Sequence, residues 1–390
     1  MRLHERSNTI YFQDNTIRDG MQQRAVNKSI AIKKQIIDEI SRTRINSIEI
    51  GMCDSLQDLS ILSEYMNILR KDQNGVVLTR LIETSIDLGA ELHSRYPNTV
   101  LKLLVPISNM HIEEKLKTEK TIYFKRLERI LKYAQQKELN IDIVLEDSTR
   151  ADKQVLFEVL SIVSNYKIGF ITLADTVGCS TPTEYGYLFK EVRGKFPKLK
   201  LSAHCHNDLG LATANTISAI INGATQVETT FLGIGERAGN TSIEEVVAVL
   251  YKKELNETEL NLKSIYKTSN KIREILEYKI PPTKPIIGSN IFVHESGIHQ
   301  DGTLKNIEMY QYILPSELGI PNSTNYSISG ISSKKILYQY FKNIVGSEID
   351  VDDLIQFYRH LSKVTDKLTP EDCLELYQFR EREKNGNIRS

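Results

Sequence analysis

The sequence predicts an α/β fold, a TIM (β/α)8 barrel followed by a smaller, mainly helical C-terminal region. Three observations support this: eight short apolar runs, segments of helical periodicity between them, and a change of pattern after Leu250. Eight strands that alternate with helices over about 250 residues are typical of a closed parallel barrel. An open doubly wound sheet is the alternative, but such a sheet normally uses fewer strands.

The eight apolar runs are the predicted strands. Most are rich in Val, Ile, Leu or Thr, as expected of parallel strands buried on both faces. Their predicted bounds are Ile10–Asp14, Ser47–Met52, Val76–Leu81, Val100–Pro106, Ile141–Glu146, Phe170–Asp175, Leu199–His204 and Gln226–Gly233. Between them, Ile30–Ser41 and Phe124–Lys137 each place apolar side chains on one stripe, which predicts amphipathic helices.

A proline-rich stretch, Ile280–Pro285, separates the two predicted regions. Prolines block helix and ladder hydrogen bonds, so this stretch is typical of a linker. We expect a barrel domain over residues 8–275 and C-terminal subdomains over residues 286–390. The remaining predicted helices are Lys252–Asn270, Lys334–Lys342, Val351–Lys363 and Pro370–Glu383.

Composition excludes several classes of function. Lys+Arg and Asp+Glu both total 50, so the net charge is zero, which argues against a nucleic-acid or membrane-surface partner. The 4 cysteines form no CxxC pair, as expected in a reducing compartment. No apolar run resembles a signal peptide or approaches the roughly 20 residues of a membrane span. We expect a soluble cytoplasmic protein.

Two histidines on one predicted strand indicate a metal site. Side chains alternate along a strand, so His204 and His206 point the same way, and Asn-Asp follows them directly. Two imidazoles can hold one divalent metal, and Asp19 offers a third, hard ligand. A single buried histidine is more often a core residue, but the pair favours ligation. The carboxyl ends of barrel strands gather at one rim, so Asp19 and the histidines can meet there.

Other chemically useful groups also follow predicted strands. Arg18 follows the first strand, Glu146 ends the fifth, and Thr176 follows the sixth. Taken alone, Arg18 and Asp19 could form a plain surface ion pair. The glycine-rich segment Gly233–Asn240 could be a turn or an anion-binding loop.

Four motifs in order carry a resemblance to a known superfamily. Asp14–Gly20, His204–Asp208 and Gly233–Asn240 together resemble the DRE-TIM metallolyases, and within them the 2-isopropylmalate, homocitrate and citramalate synthases. His294–Gly302 is similar to a further segment of those synthases. The resemblance runs from about residue 10 to about residue 320. It implies that residues 8–275 form a pyruvate carboxyltransferase-like catalytic domain.

The resemblance also implies roles in binding metal and substrate. A divalent ion (zinc, manganese or magnesium) would be bound by Asp19, His204 and His206, with Asn240 as a further ligand or as a support to the ligands. Arg18 would face a 2-oxo acid. A guanidinium at that place suits the alkoxide that forms when a ketone is attacked. The resemblance further implies that Glu146 orients Arg18 and that Thr176 hydrogen-bonds the substrate carboxylate.

The predicted reaction is a Claisen-type condensation of acetyl-CoA with a 2-oxo acid, with release of CoA. The resemblance implies that His299 and Tyr310 form a catalytic pair that deprotonates the thioester methyl group, given across a homodimer. An imidazole is suited to this task near neutral pH.

The preferred activity is 2-isopropylmalate synthase-like, with homocitrate or citramalate synthesis as alternatives. Asp142 stands where one homocitrate synthase branch has an arginine, four residues before Glu146. A lyase or aldolase of the same superfamily is a further alternative. The segment Ser327–Ser333 lacks the Lys-His pair that relatives usually carry, which leaves a non-catalytic paralogue as the last alternative.

Overall fold

The computed structural model forms two compact units, Met1–Ile280 and Pro281–Ser390. In the described residues, no helix is both long enough and apolar enough to cross a membrane. The structure describes residues 9–24, 26, 28–321, 325–345, 349–365 and 368–386.

Eight parallel strands of the first unit close into a barrel in sequential order, and the predicted TIM barrel is confirmed. Closure is made by β1, which pairs with β2 on one side and with β8 on the other. The strands are β1 (Tyr11–Asp14), β2 (Ser47–Met52), β3 (Asn74–Thr79), β4 (Thr99–Pro106), β5 (Ile141–Glu146), β6 (Ile171–Asp175), β7 (Leu201–Cys205) and β8 (Ala224–Thr229).

Helices surround the barrel. They are α1 (Ile30–Ser41), α2 (Leu56–Met66), α3 (Glu83–Arg95), α4 (Lys120–Gln136), α5 (Lys153–Val163), α6 (Pro182–Lys195), α7 (Ala212–Ile221), α8 (Ile243–Lys253) and α9 (Leu262–Leu276). In α1, the Ser29 side chain accepts a hydrogen bond from the Ile32 amide, which caps the first turn. The apolar stripe of α1 buries Ile36, Ile37 and Ile40.

Local backbone geometry corrects three predicted bounds. The third strand lies two residues earlier than predicted, because Asn74 already pairs with Ser47 of β2. The eighth strand ends at Thr229, and a 3-10 turn follows in which Leu232 has φ 64°. The predicted helix Lys252–Asn270 is two helices: Glu254 ends α8 in the left-handed region, and the Asn261 side chain caps the start of α9.

The second unit is mainly helical. It contains a two-stranded parallel pair, β9 (Val293–His294) with β10 (Asn325–Tyr326), and the helices α10 (Gly297–Lys305), α11 (Lys334–Ile344), α12 (Val351–Leu361) and α13 (Pro370–Gly386). Its apolar core consists of Leu337, Phe341, Leu354, Ile355, Tyr358, Cys373 and Tyr377. Helix α10 was not predicted, because the sequence GIHQDGTLK has no apolar stripe at helical spacing.

Candidate active site

The predicted metal ligands meet at the carboxyl end of the barrel strands. Asp19, His204 and His206 are all buried, and their ligand atoms lie within 4.8 Å of one another. The two imidazole Nε2 atoms are 3.3 Å apart. Asp19 Oδ2 lies 3.7 Å from His204 Nε2 and 3.9 Å from His206 Nε2. These donor atoms therefore face a common point.

The hydrogen bonding of this cluster fits a bound divalent ion. One divalent metal can take a lone pair from each of the two facing Nε2 atoms. Such metals bind nitrogen and oxygen donors in tetrahedral or octahedral geometry. Asn240 Nδ2 donates to Asp19 Oδ1 at 2.9 Å, while Asn240 Oδ1 is buried without a partner among the described residues. Gly235 makes room for Asn240, because a Cβ there would lie 2.1 Å from Nδ2.

Electrostatics prepare two of the three groups for ligation. Burial alone would raise the pKa of Asp19, but Arg18 and both histidines outweigh it, and the pKa is lowered. Burial and the neighbouring His204 lower the pKa of His206 to about 4. For His204, burial lowers the pKa, but hydrogen bonding to Glu228 outweighs burial and the pKa is raised. Asp19 is therefore an anion and His206 a neutral base near neutral pH.

Arg18 is held by a carboxylate that the sequence did not indicate. Its Nη2 donates to Glu49 Oε2 at 2.8 Å and its Nη1 donates to Asp19 Oδ2 at 3.1 Å. Glu49 lies on β2, the strand next to β1, and is fully buried. The predicted pairing of Arg18 with Glu146 is therefore corrected, because Glu146 lies on β5 and pairs with Lys115 at 2.7 Å.

Two further polar groups lie where β4, β5 and β6 end. His111 begins a π-helical turn, and its Nδ1 lies 3.0 Å from Asp147 Oδ2. The Thr176 hydroxyl accepts a hydrogen bond from the Asp147 amide at 2.8 Å. The hydroxyl hydrogen of Thr176 has no acceptor among the described residues, so it can donate to a ligand. Sequence reasoning did not single out His111. The π-helical turn that it begins is a feature that often marks functional sites.

An apolar group of inward-facing side chains lies in the other half of the barrel. Strand register places Leu78 beside Met52 and Leu104 beside Val144. Leu78 and Val144 each keep 8% of their surface exposed. Because these side chains face the inside of a closed barrel, the exposed part lies at the barrel mouth. The group, called the apolar wall here, consists of Met52, Leu78, Leu104, Val144 and Ala174.

The second unit brings its two predicted catalytic residues together. The rings of His299 and Tyr310 lie 4.3 Å apart between centroids, at an interplanar angle of 37°. Gly302, one turn after His299 on α10, allows this approach, since a Cβ there would lie 2.3 Å from Tyr310 Cε2. The last glycine of the His294–Gly302 motif thus has a steric reason.

The segment that lacks the Lys-His pair is packed onto the same motif. Gln300 is fully buried, and its Nε2 donates to the carbonyls of His294 and Ser327, both at 3.0 Å. Its Oε1 accepts from the Ser333 amide at 2.9 Å. The Ser333 side chain caps α11 by accepting from the Ile336 amide. These contacts hold the segment to α10 without a lysine or histidine.

Comparisons with known proteins match both units. The family described as HMGL-like matches residues 9–272, and the family described as homocitrate synthase post-HMGL domain-like matches residues 286–367. The 2-isopropylmalate synthase of Dictyoglomus turgidum is 33% identical over 364 residues, which are 92% of this chain and 72% of that enzyme. The 2-isopropylmalate synthase of Lysinibacillus sphaericus is 35% identical over 379 residues, which are 93% of this chain and 72% of that enzyme.

A solved structure shows the same fold. The HMG-CoA lyase of Brucella melitensis has a TM-score of 0.61 and 19% identity, over 70% of this chain and 100% of that chain. With the HMGL-like match across the barrel, the class of the protein is clear: it is a DRE-TIM metallolyase. The identities to the synthases extend over more than nine tenths of the chain. The chain therefore belongs to the 2-isopropylmalate and homocitrate synthase family and is an acyltransferase, as the motifs predicted.

Proposed function

We propose that the protein condenses acetyl-CoA with a 2-oxo acid and releases CoA, as a 2-isopropylmalate synthase. The observation that carries this proposal is the convergence of Asp19, His204 and His206 beside the Arg18 guanidinium. Together they form a buried site for a divalent metal and an anionic substrate. The names of the curated relatives support the same chemistry.

The barrel residues bind and polarise the 2-oxo acid. Asp19, His204 and His206 would hold the metal, with Asn240 beside them, and the bound metal would act as a Lewis acid on the ketone. Arg18 would stabilise the negative charge that develops on the ketone oxygen, since a fixed donor in a water-poor site requires little reorganisation. Thr176 would donate its free hydroxyl hydrogen to the substrate carboxylate.

His299 and Tyr310 are proposed to handle the thioester. The His299 imidazole would take a proton from the methyl group of acetyl-CoA, and the adjacent Tyr310 hydroxyl would orient that imidazole or the thioester carbonyl. The resulting enolate would attack the ketone carbon, and the ketone oxygen would become an alkoxide that takes up a proton. Water would then hydrolyse the thioester and release CoA. A catalytic role of Glu146 stays a prediction, and its carboxylate pairs with Lys115 Nζ at 2.7 Å. The homodimer and the cytoplasmic location stay predictions.

The apolar wall supports a 2-oxo acid with an aliphatic side chain. Its five members come from five consecutive strands, β2 to β6, and each is apolar. A second carboxylate placed there would be desolvated without a partner, which is strongly unfavourable. Asp142, which stands where one homocitrate synthase branch has an arginine, offers no positive charge to a second carboxylate. These features favour 2-oxoisovalerate over 2-oxoglutarate or oxaloacetate.

A thiol-release assay tests the proposal. Purified protein with Zn²⁺, Mn²⁺ or Mg²⁺ is given acetyl-CoA and either pyruvate, 2-oxoisovalerate, 2-oxoglutarate or oxaloacetate. We expect the fastest CoA release with 2-oxoisovalerate. We expect loss of at least a thousandfold in His204→Ala and Asp19→Ala, since each removes a metal ligand.

His93→Ala is the matched control. His93 is a half-buried histidine on α3 whose Nδ1 lies 3.1 Å from the Thr99 carbonyl oxygen, at the other end of the barrel. We expect this variant to keep wild-type CoA release. Wild-type CoA release in His204→Ala and Asp19→Ala, as in the control, would refute the proposed metal site. CoA release that is fastest with 2-oxoglutarate would refute the choice of substrate.

A further inference from the structure

A closed ring of four buried polar side chains lies inside the barrel. Lys102 Nζ donates to Gln13 Oε1 at 3.1 Å, and Gln13 Nε2 donates to Asn15 Oδ1 at 2.8 Å. Asn15 Nδ2 donates to Glu228 Oε2 at 2.8 Å, and Lys102 Nζ closes the ring on Glu228 Oε1 at 2.5 Å. All four side chains are at most 2% exposed.

The ring joins three strands across the barrel interior. Gln13 lies on β1, Lys102 on β4 and Glu228 on β8, so the lysine side chain spans the inside of the barrel. Barrel interiors are usually filled by branched apolar residues, and a buried ion pair is weak evidence for stability. The polar ring therefore calls for a reason other than packing.

Glu228 links this ring to the metal ligands. Its carboxylate also accepts hydrogen bonds from Thr172 Oγ1 at 2.5 Å and from Ser202 Oγ at 3.5 Å. His204 Nδ1 lies 3.2 Å from Glu228 Oε2. All other contacts of the carboxylate are with hydrogen-bond donors, so the carboxylate acts as an acceptor. His204 Nδ1 is then the donor of this pair and carries the proton. The His204 Nε2 lone pair is then presented to His206 and Asp19.

We propose that Lys102 is a positioning residue of the metal centre. It fixes the Glu228 carboxylate, which in turn fixes the ring orientation and the tautomer of His204. Carboxylates behind metal-binding histidines tune affinity in general, and here a buried lysine sets the carboxylate itself. The inference rests on the proposed function, because it assumes that His204 binds a metal.

Metal affinity of the purified apoprotein tests this without any substrate. Zn²⁺ binding is measured by competition with a chromophoric chelator for the wild type, Lys102→Met, Glu228→Gln and the double variant. We expect affinity to fall about tenfold in Lys102→Met and about 10- to 100-fold in Glu228→Gln. Because Lys102 acts through Glu228, we expect the double variant to bind like Glu228→Gln alone. Thermal unfolding of each apoprotein confirms folding.

Glu244→Gln is the matched control. Glu244 is a buried carboxylate on α8 that accepts from the Leu232 amide at 2.8 Å and from the Ser269 hydroxyl at 2.6 Å, and among the described residues it makes no hydrogen bond to Lys102 or Glu228. A glutamine oxygen can accept the same bonds, so we expect wild-type metal affinity. If Lys102→Met does not fold, Gln13→Met replaces it: it removes one bond to Lys102 and one to Asn15, with an expected loss of about threefold.

Each outcome decides between the inference and the proposed function. Wild-type affinity in Lys102→Met, or in Gln13→Met if that variant is used, would overturn the inference. So would losses that multiply in the double variant, because Lys102 would then act independently of Glu228. A wild-type protein that takes up no metal would instead refute the proposed function.

Discussion

Replacing Glu49 by glutamine should impair catalysis through Arg18. Glu49 Oε2 accepts from Arg18 at 2.8 Å, and Glu49 is fully buried while the Arg18 side chain is 19% exposed. Glutamine has the same shape and can still accept a hydrogen bond, so the main change is the loss of charge. Asp19, at 3.1 Å, would then be the remaining carboxylate bound to Arg18, and Arg18 would compete with the metal for it.

The expected loss can be worked from this contact. The Arg18–Glu49 bond joins two charged groups, and in the variant only the guanidinium stays charged. A hydrogen bond to a charged group contributes about 1.5–3 kcal/mol, so losing one of the two charges removes roughly 1–2 kcal/mol. If this appears in the transition state, where Arg18 faces the developing oxyanion, kcat/KM for the 2-oxo acid falls by roughly 5- to 30-fold.

The assay is steady-state CoA release with a varied 2-oxo acid. Glu244→Gln is the matched control: Glu244 is an equally buried glutamate, but it accepts from the Leu232 amide and the Ser269 hydroxyl. We expect the control to lose stability without a comparable change in kcat/KM. A folded Glu49→Gln variant with kcat/KM within twofold of the wild type would refute the reasoning that Glu49 holds Arg18.

Two other predictions concern Gly302 and Asp142. Gly302→Ala should lower CoA release at least tenfold without raising the melting temperature, because the new Cβ displaces the Tyr310 ring from His299. By contrast, Gly194→Ala on α6, with open space around its Cβ, should gain about 1 kcal/mol of stability, and a similar gain with full activity in Gly302→Ala would contradict the steric argument. Burial raises the pKa of Asp142 to about 6, so between about pH 4 and pH 6 the folded protein keeps a proton that the unfolded chain loses. As the pH rises from 4 to 7, the wild-type apoprotein should therefore lose about 3 kcal/mol of stability relative to Asp142→Asn. If the two proteins differ in unfolding free energy by the same amount at pH 4 and at pH 7, the pKa shift is contradicted.

The barrel and the cluster of proposed metal ligands were predictable because their signals are local. Each buried strand is a short apolar run, and His204 and His206 lie two residues apart on one of them. Helix α10 was missed for the opposite reason, since its sequence follows no apolar period. The turn after β8 was read as strand because its apolar residues do not reveal the left-handed backbone of Leu232.

The partners of the site residues could not be predicted, because they depend on strand register. Glu49 reaches Arg18 only because β2 lies beside β1. Side-chain alternation alone would put Met52, three residues after Glu49, on the outside of the barrel. A shift in the β2–β3 register between Glu49 and Gly51 brings Met52 beside Leu78 instead. Neither relation can be read from a single strand.

The barrel mouth thus divides into two chemically different halves. The charged half, from β1, β7 and β8 with Glu49, holds the proposed metal ligands, Arg18 and the carboxylate behind His204. The apolar wall, from β2 to β6, has no hydrogen-bonding group on its side chains. A 2-oxo acid has the same division, with its carboxylate and ketone at one end and its side chain at the other. Substitutions in the apolar wall can therefore alter the choice of side chain without disturbing the hydrogen bonds that position the metal ligands.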